Sequence, residues 1–238
     1  MDPAHADGGG RTARVSSTAH PLLDLFVAAA RGSYPPVDGG VTVVPALGGG
    51  IEAIVAFTGH AVIATALPDP VLREAGADGY GGAMSPDVQR VLAGPGGWIG
   101  VHDVVLVGAG TGTGDDRSPL SGTLVPRDDL DAHPRVALAL DIRDDVRVYA
   151  DDRGLVTVAR GLAGRVEISL ELEPAHLGTG AGAGLLDDAV RLVPRGTTVF
   201  AAVAPGNVRS LRMFLRHGFT PIGSEVVIRP ARGSGIGA

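Results

Sequence analysis

Residues 165–219 read RVEISLELEPAHLGTGAGAGLLDDAVRLVPRGTTVFAAVAPGNVRSLRMFLRHGF. From Arg165 to Glu173 the residues alternate. Val166, Ile168, Leu170 and Leu172 are apolar, and Glu167, Ser169, Glu171 and Glu173 are polar. That period predicts a strand. Pro174 lacks an N–H and ends its ladder. After the glycine loop His176–Gly184, Gly182, Leu185, Leu186, Ala189, Val190 and Val193 recur at helical spacing, and Pro194 and Gly196 stop the helix. Thr197–Ala204 reads as a buried strand. Asn207 is placed to cap a second helix, with Val208, Leu211 and Leu215 expected inward, Arg209, Arg212 and Arg216 outward, and Gly218 closing it.

Strand, glycine loop and helix in this order put a helix N-terminus at the carboxyl end of a strand. Unpaired N–H groups and the helix dipole converge there. Gly178, Gly180, Gly182 and Gly184 let a ligand approach the backbone, and no acidic side chain lies between Glu173 and Asp187. The expectation is a phosphate or pyrophosphate site. Glycine loops also arise for steric reasons alone.

The order PxxxGxGxGxxLL, buried strand, NxxSxxxFxxxGF resembles the acetyl-CoA-binding core of the GNAT-type N-acetyltransferases. The resemblance implies that 174–186 is a pyrophosphate loop with its helix, and that 207–219 flanks the pantetheine arm. It implies cofactor contacts from Leu172, Leu177, Gly178, Thr179, Gly180, Ala181, Gly182, Ala183 and Asn207, with a backbone donor to the thioester carbonyl near Leu172. Leu177 stands where the family usually has Arg or Gln, and Phe214 where it often has Tyr, the acid for the leaving thiolate. The family commonly ends on two strands after the second helix. Here 219–230 has room for little more than one, Ser224–Arg229.

Acetyl transfer to an amine needs a base. Glu167, Glu171 and Glu173 share a strand face, where like charges would raise one another's pKa; the plain alternative is a solvated acidic face. Glu167 is the chosen base, being furthest from the pyrophosphate. Arg212 is the chosen contact to the 3′-phosphate of coenzyme A, and Arg209 and Arg216 are read as solvating the helix.

The whole chain bounds these readings. With 238 residues, 45% hydrophobic, it can bury one large core or two small ones. A net charge of −6 with scattered arginines argues against nucleic acid. The absence of cysteine removes thiolate metal sites, disulfides and cysteine nucleophiles. No apolar run is long enough to span a membrane. The expected organisation is a tail at 1–19, an α+β lobe at 20–125 forming the acceptor side, a GNAT-like domain at 126–230 and a tail at 231–238. The fold class is a mixed-sheet α/β (α+β) architecture. The first lobe's order of helix, three strands, helix and strand is a faint echo of the second lobe, without a phosphate loop.

In the first lobe, helices are expected at 21–31 and 85–93, and strands at 41–44, 51–57, 61–67 and 98–107, with His60 solvated at a hairpin turn. Gly108-Ala-Gly-Thr-Gly after a buried strand imitates a dinucleotide fingerprint. Its third glycine is replaced by Thr113, and Asp115 and Asp116 would repel a pyrophosphate, so 109–123 reads as a flexible loop. In the second lobe, a helix at 128–141 with Val136, Ala137 and Leu140 inward precedes a hairpin at 146–160. The functional expectation is a cytoplasmic N-acetyltransferase, monomer or homodimer, moving acetyl from acetyl-CoA to a primary amine of a small molecule or peptide. The alternative is a non-catalytic acyl-CoA sensor or scaffold.

Overall fold

The computed structural model describes residues 19–113 and 124–231. Most of the two expected tails and the acidic part of the 109–123 loop lie outside these residues. One 11-stranded sheet runs through both halves of the chain. The first half contributes α1 (Pro21–Ala30), β1 (Val41–Val44), β2 (Glu52–Phe57), β3 (His60–Ala64), α2 (Asp69–Glu74), α3 (Pro86–Ala93), β4 (Trp98–Ile99) and β5 (Asp103–Ala109). The second contributes β6 (Val125–Pro126), α4 (Pro134–Ile142), β7 (Asp144–Asp151), β8 (Gly154–Arg160), β9 (Val166–Leu172), α5 (Ala181–Arg191), β10 (Thr198–Val203), α6 (Val208–Arg216) and β11 (Thr220–Arg229).

The strand order is β1-β3-β2-β11-β5-β10-β9-β8-β7-β6, with β4 beside β11. From β7 to β9 the chain is an antiparallel meander. β9 and β10 are parallel, as a strand–helix–strand unit requires. Among the described residues one strand, β11, follows α6. β5 lies between β10 and β11 and runs antiparallel to both. The first half therefore completes the second half's sheet. β1 does not join a meander; it is parallel to β3.

Side-chain alternation splits the core between the two faces. Val105, Val107, Phe200 and Ile222 pack with Leu22 and Phe26 of α1. Leu106, Ile168, Val199 and Val203 pack on the other face with Leu185, Leu186 and Ala189 of α5 and Phe214 of α6. Val136 sets α4 on Val148, Ala150 and Leu155, on the α1 side of the sheet. Leu72, Val88 and Leu92 place α2 and α3 on Ile54, Ile63, Val226 and Ile228.

Several local expectations change. Val208 and Leu215 are exposed at 54% and 46%, because the buried side of α6 centres on Phe214, with Leu211 and Met213 partly buried. α4 starts only at Pro134 and buries Val136 and Ala139, leaving Ala137 and Leu140 outside. The single strand at 98–107 is two, broken at 100–102. The last strand begins earlier, at Thr220, with a register shift between Pro221 and Gly223. Asp69 and Pro70 open a short helix that the sequence reading did not include.

His60 is buried, not solvated. Its Nδ1 lies 2.8 Å from Asp38 and its Nε2 2.9 Å from Thr42, which ties the 37–40 turn to the β2–β3 hairpin. The described end of the 109–123 segment is also tied down. Gly110 N–H donates to Thr197 O, Thr111 N–H to Val190 O and Gly112 N–H to Val193 O. A Cβ on Gly112 would lie 1.5 Å from the Arg191 carbonyl oxygen. These glycines serve contact between backbones at the end of α5.

Candidate active site

β9 and β10 share one register pair, Glu167 with Phe200, and then part towards their carboxyl ends. Glu173 N–H turns to β8 and donates to Arg153 O at 2.9 Å. Because successive strand N–H groups point to opposite sides, Leu172 N–H points towards β10, into the widening gap. An unpaired donor at a strand end is the group needed to polarise a carbonyl.

The glycine loop follows at once. Gly178 and Gly180 have φ of 81° and 92°, the left-handed region that a side chain disfavours. Gly180 caps α5. Thr179 Oγ1 donates to His176 O and accepts from Ala181 N–H, which fixes the turn. Ala183 N–H bonds to Gly180 O. Among the described residues no acceptor is paired with the N–H groups of Gly178, Gly180 or Gly182, so three donors remain near the positive end of the α5 dipole. The four glycines are not equivalent. Gly182 is small because α6 is close: a Cβ there would sit 2.9 Å from Met213 Sδ and 3.3 Å from Leu172. Gly184 meets no backbone, merely the end of Arg153.

The loop is braced from behind. Arg153, in the β7–β8 turn, binds Asp151 and the buried Asp188 of α5 at 2.6 and 2.7 Å. Leu177 is 56% exposed on the loop and offers no polar group to a phosphate. Asn207 Oδ1 accepts from Ser210 N–H at 3.2 Å and caps α6. Arg212 is exposed on α6. Phe214 is inside the core, edge-on to Phe219 at 4.9 Å between ring centroids. Its aromatic ring serves packing.

The expected base environment is corrected. Glu167 is 3% exposed and accepts from Arg165 at 2.9 and 3.1 Å; Arg143 is its second cationic partner. Burial opposes its ionisation, but Arg143 and Arg165 outweigh burial and hold its carboxyl below the usual range. The charges that dominate are arginines, not the neighbouring glutamates. Glu171 pairs with Arg135 of α4 at 2.6 Å, and Glu173 is exposed beyond the strand. Arg165 also binds Glu225 of β11 at 2.6 and 2.7 Å and stacks on Phe26, 4.5 Å from the ring centroid. Burial works against its charge, but Glu225 and Glu167 more than offset this and raise its pKa.

Asp103, the first residue of β5, was missed from the sequence. It lies opposite Glu225 and one residue beyond Val104, the partner of Val203 at the end of β10. Desolvation raises its pKa to about 6, with Glu225 and Glu167 adding to the rise and Arg143 and Arg165 opposing it. No local motif marks this residue; it follows an irregular Gly-Val-His segment. Its significance depends on β5 entering the sheet between β10 and β11. Near the same cluster, a cavity of about 980 Å³ opens between α1 and the α4–β7 junction, lined by His20, Leu47, Asp141, Arg143, Asp144 and Gly161.

Comparison with known proteins finds no matching family model and no matching curated protein. Among solved structures, a protein of unknown function from Staphylococcus epidermidis aligns at 15% identity and TM-score 0.38, covering 56% of this chain and 62% of its own. A Novosphingobium aromaticivorans protein ascribed to the GNAT family of acetyltransferases aligns at 16% and 0.39, covering 56% and 66%. A GCN5-related N-acetyltransferase from Kribbella flavida aligns at 18% and 0.36, covering 62% and 65%. Each match spans less than two thirds of the neighbour's own length.

Proposed function

We propose that this protein is an acetyl-CoA-dependent N-acetyltransferase acting on a primary amine. The observation that carries the reading is the parting of β9 from β10, with Leu172 N–H turned into the gap immediately before a glycine loop with unpaired donors. A thioester in that gap would place its carbonyl oxygen on Leu172 N–H, where negative charge develops as the amine attacks. One such donor contributes roughly 3–4 kcal/mol to the barrier. The pyrophosphate would lie on the N–H groups of Gly178, Gly180 and Gly182. Asn207, at the start of α6, would face the pantetheine arm, and Arg212 would meet the 3′-phosphate. The acceptor would enter on the α1 and α4 side, where the large cavity opens.

Glu167 does not suit the base it was expected to be. Both its oxygens are engaged by Arg143 and Arg165, which also hold its carboxyl below the usual range, so neither is turned to an incoming amine. The second reading, an acyl-CoA sensor, is favoured by Phe214, which supplies no proton to a leaving thiolate. Calorimetric titration with acetyl-CoA, followed by thiol release in the presence of a panel of amines, tests the proposal. Binding with release supports the enzyme; binding without release supports the sensor; no binding overturns both.

A further inference from the structure

We propose that Asp103, supplied by the first half of the chain, takes the proton from a cationic amine that enters on the α1–α4 face of the sheet; this rests on the acetyltransferase reading. In the register set by Phe200 and Glu167, the residue after Val203 lies level with Glu171, next to Leu172. Asp103 is beside that same residue on the other side of β10. It also shares the face of Val105 and Val107, which is the face of Glu167 and α1. Leu172, on β9, stands two strand spacings from β5, roughly 10 Å, a span covered by the Asp103 side chain, the bound amine and one bridging water.

The charges around Asp103 indicate what it would bind. Glu225 faces it from β11, Glu167 from β9, Arg165 from the turn before β9 and Arg143 from the end of α4. Arg165 spends its guanidinium on Glu225 and Glu167, and Arg143 is held by Glu167. Among the described residues none gives Asp103 an ion pair or a side-chain hydrogen bond. Two arginines stand against three carboxylates, and the uncompensated one is the partly exposed one. An ammonium group completes that set. The site therefore favours an acceptor that arrives charged and must be deprotonated there, over a neutral alcohol or thiol.

The step balances. The ammonium gives one proton to Asp103, directly or through water, and its freed lone pair forms the C–N bond to the thioester carbonyl. The C–S bond breaks, the second nitrogen proton passes through water to the thiolate, and Asp103 returns its proton to solvent. Acetyl-CoA and R–NH3⁺ become the amide, coenzyme A and H⁺.

Two small acceptors separate a base from a structural residue. Ethylamine is almost wholly protonated at pH 7, whereas hydroxylamine is almost wholly neutral. Asp103→Asn should lower transfer from acetyl-CoA to ethylamine about 100-fold while hydroxylamine transfer stays within about threefold. Acetyl-CoA affinity by calorimetry should be unchanged. In the parent, ethylamine transfer should fall as pH drops through about 6, a readout that needs no variant to fold. Equal losses on both acceptors, an undiminished ethylamine rate in Asp103→Asn, or a parent profile without that acidic limb overturns the inference alone. A parent that binds acetyl-CoA but acetylates neither amine overturns it together with the enzyme reading. A parent that does not bind acetyl-CoA removes the site itself.

Discussion

Arg165 and Glu225 are joined by hydrogen bonds of 2.6 and 2.7 Å although β9 and β11 are separated in the sheet by β10 and β5. The guanidinium is fully enclosed, and the bond pair links the strand that precedes the glycine loop to the final strand. Buried charge is tolerated here because Glu167 and Glu225 together satisfy it. Removing Arg165 would leave Glu225 without its cation and Glu167 with Arg143 alone. Arg165→Met should therefore lower the unfolding free energy by about 3–5 kcal/mol. Urea denaturation measures it; a loss below about 1 kcal/mol would show that the cluster is solvated and weak.

Thr179→Asp isolates the electrostatics of the loop from its shape. Thr179 accepts from Ala181 N–H, a role that an aspartate oxygen keeps, although its own donation to His176 O is lost, and it does not occupy the left-handed conformation of Gly178 and Gly180. The new carboxylate would stand against the pyrophosphate. Acetyl-CoA affinity should fall at least about tenfold, while the melting temperature of the free protein stays within a few degrees because Asp suits a helix N-terminus. Unchanged affinity would place the coenzyme elsewhere.

The glycines provide a test of the fold that requires no activity. A Cβ at Gly112 meets backbone at 1.5 Å, whereas one at Gly184 meets only the Arg153 guanidinium, at 3.1 Å. Gly112→Ala should destabilise the protein by about 2 kcal/mol or more, through displacement of the segment from α5. Gly184→Ala should stay within about 1 kcal/mol of the parent, because the gain of alanine in a helix interior is set against the small shift it forces on the Arg153 guanidinium. Comparable thermal shifts in both variants would contradict the packing of 110–112 on the end of α5.

Residues 165–219 declared their elements because each signal was local. Alternation, a glycine loop, a helical stripe and Asn207 lie within one or two turns of the positions they govern, and β9, α5, β10 and the α6 cap follow them. The placement of β5 was not legible. Val104–Val107 reads as a strand, but nothing in its apolar run says that it separates β10 from β11. The same limit hid Asp103, whose surroundings come from β11, β9 and α4. Glu167 illustrates a different failure. Its strand face was read correctly, but the charges that set its pKa are Arg143 and Arg165, brought together by chain reversal and α4 rather than by the period of the strand. His60 followed the same logic: the turn was visible, and the Asp38 and Thr42 contacts that bury it were not.

The two carboxylates near the sheet's centre should leave opposite marks on the pH dependence of stability. Asp103 has a folded pKa of about 6 against an ordinary 3.8. Between those values the folded state holds a proton that the unfolded chain has released, so stability falls as pH rises through this window. Glu167 is shifted downward, so its contribution is present above its ordinary value and is lost as acid protonates it in the folded state. Asp103→Asn should therefore flatten the decline in unfolding free energy between about pH 4 and about pH 6, leaving the acid loss due to Glu167 in place. Glu167→Gln should instead weaken the protein near neutrality, because Arg143 loses its ion-pair partner and Arg165 retains Glu225 alone. It should also lower the Asp103 pKa, since one of the negative charges that raise it is gone. Urea midpoints measured from pH 4 to pH 8 on the parent and both variants check each sign. A steeper decline in Asp103→Asn, or an Asp103 carboxyl resonance in Glu167→Gln that titrates at higher pH than in the parent, would contradict the electrostatic coupling across this face of the sheet.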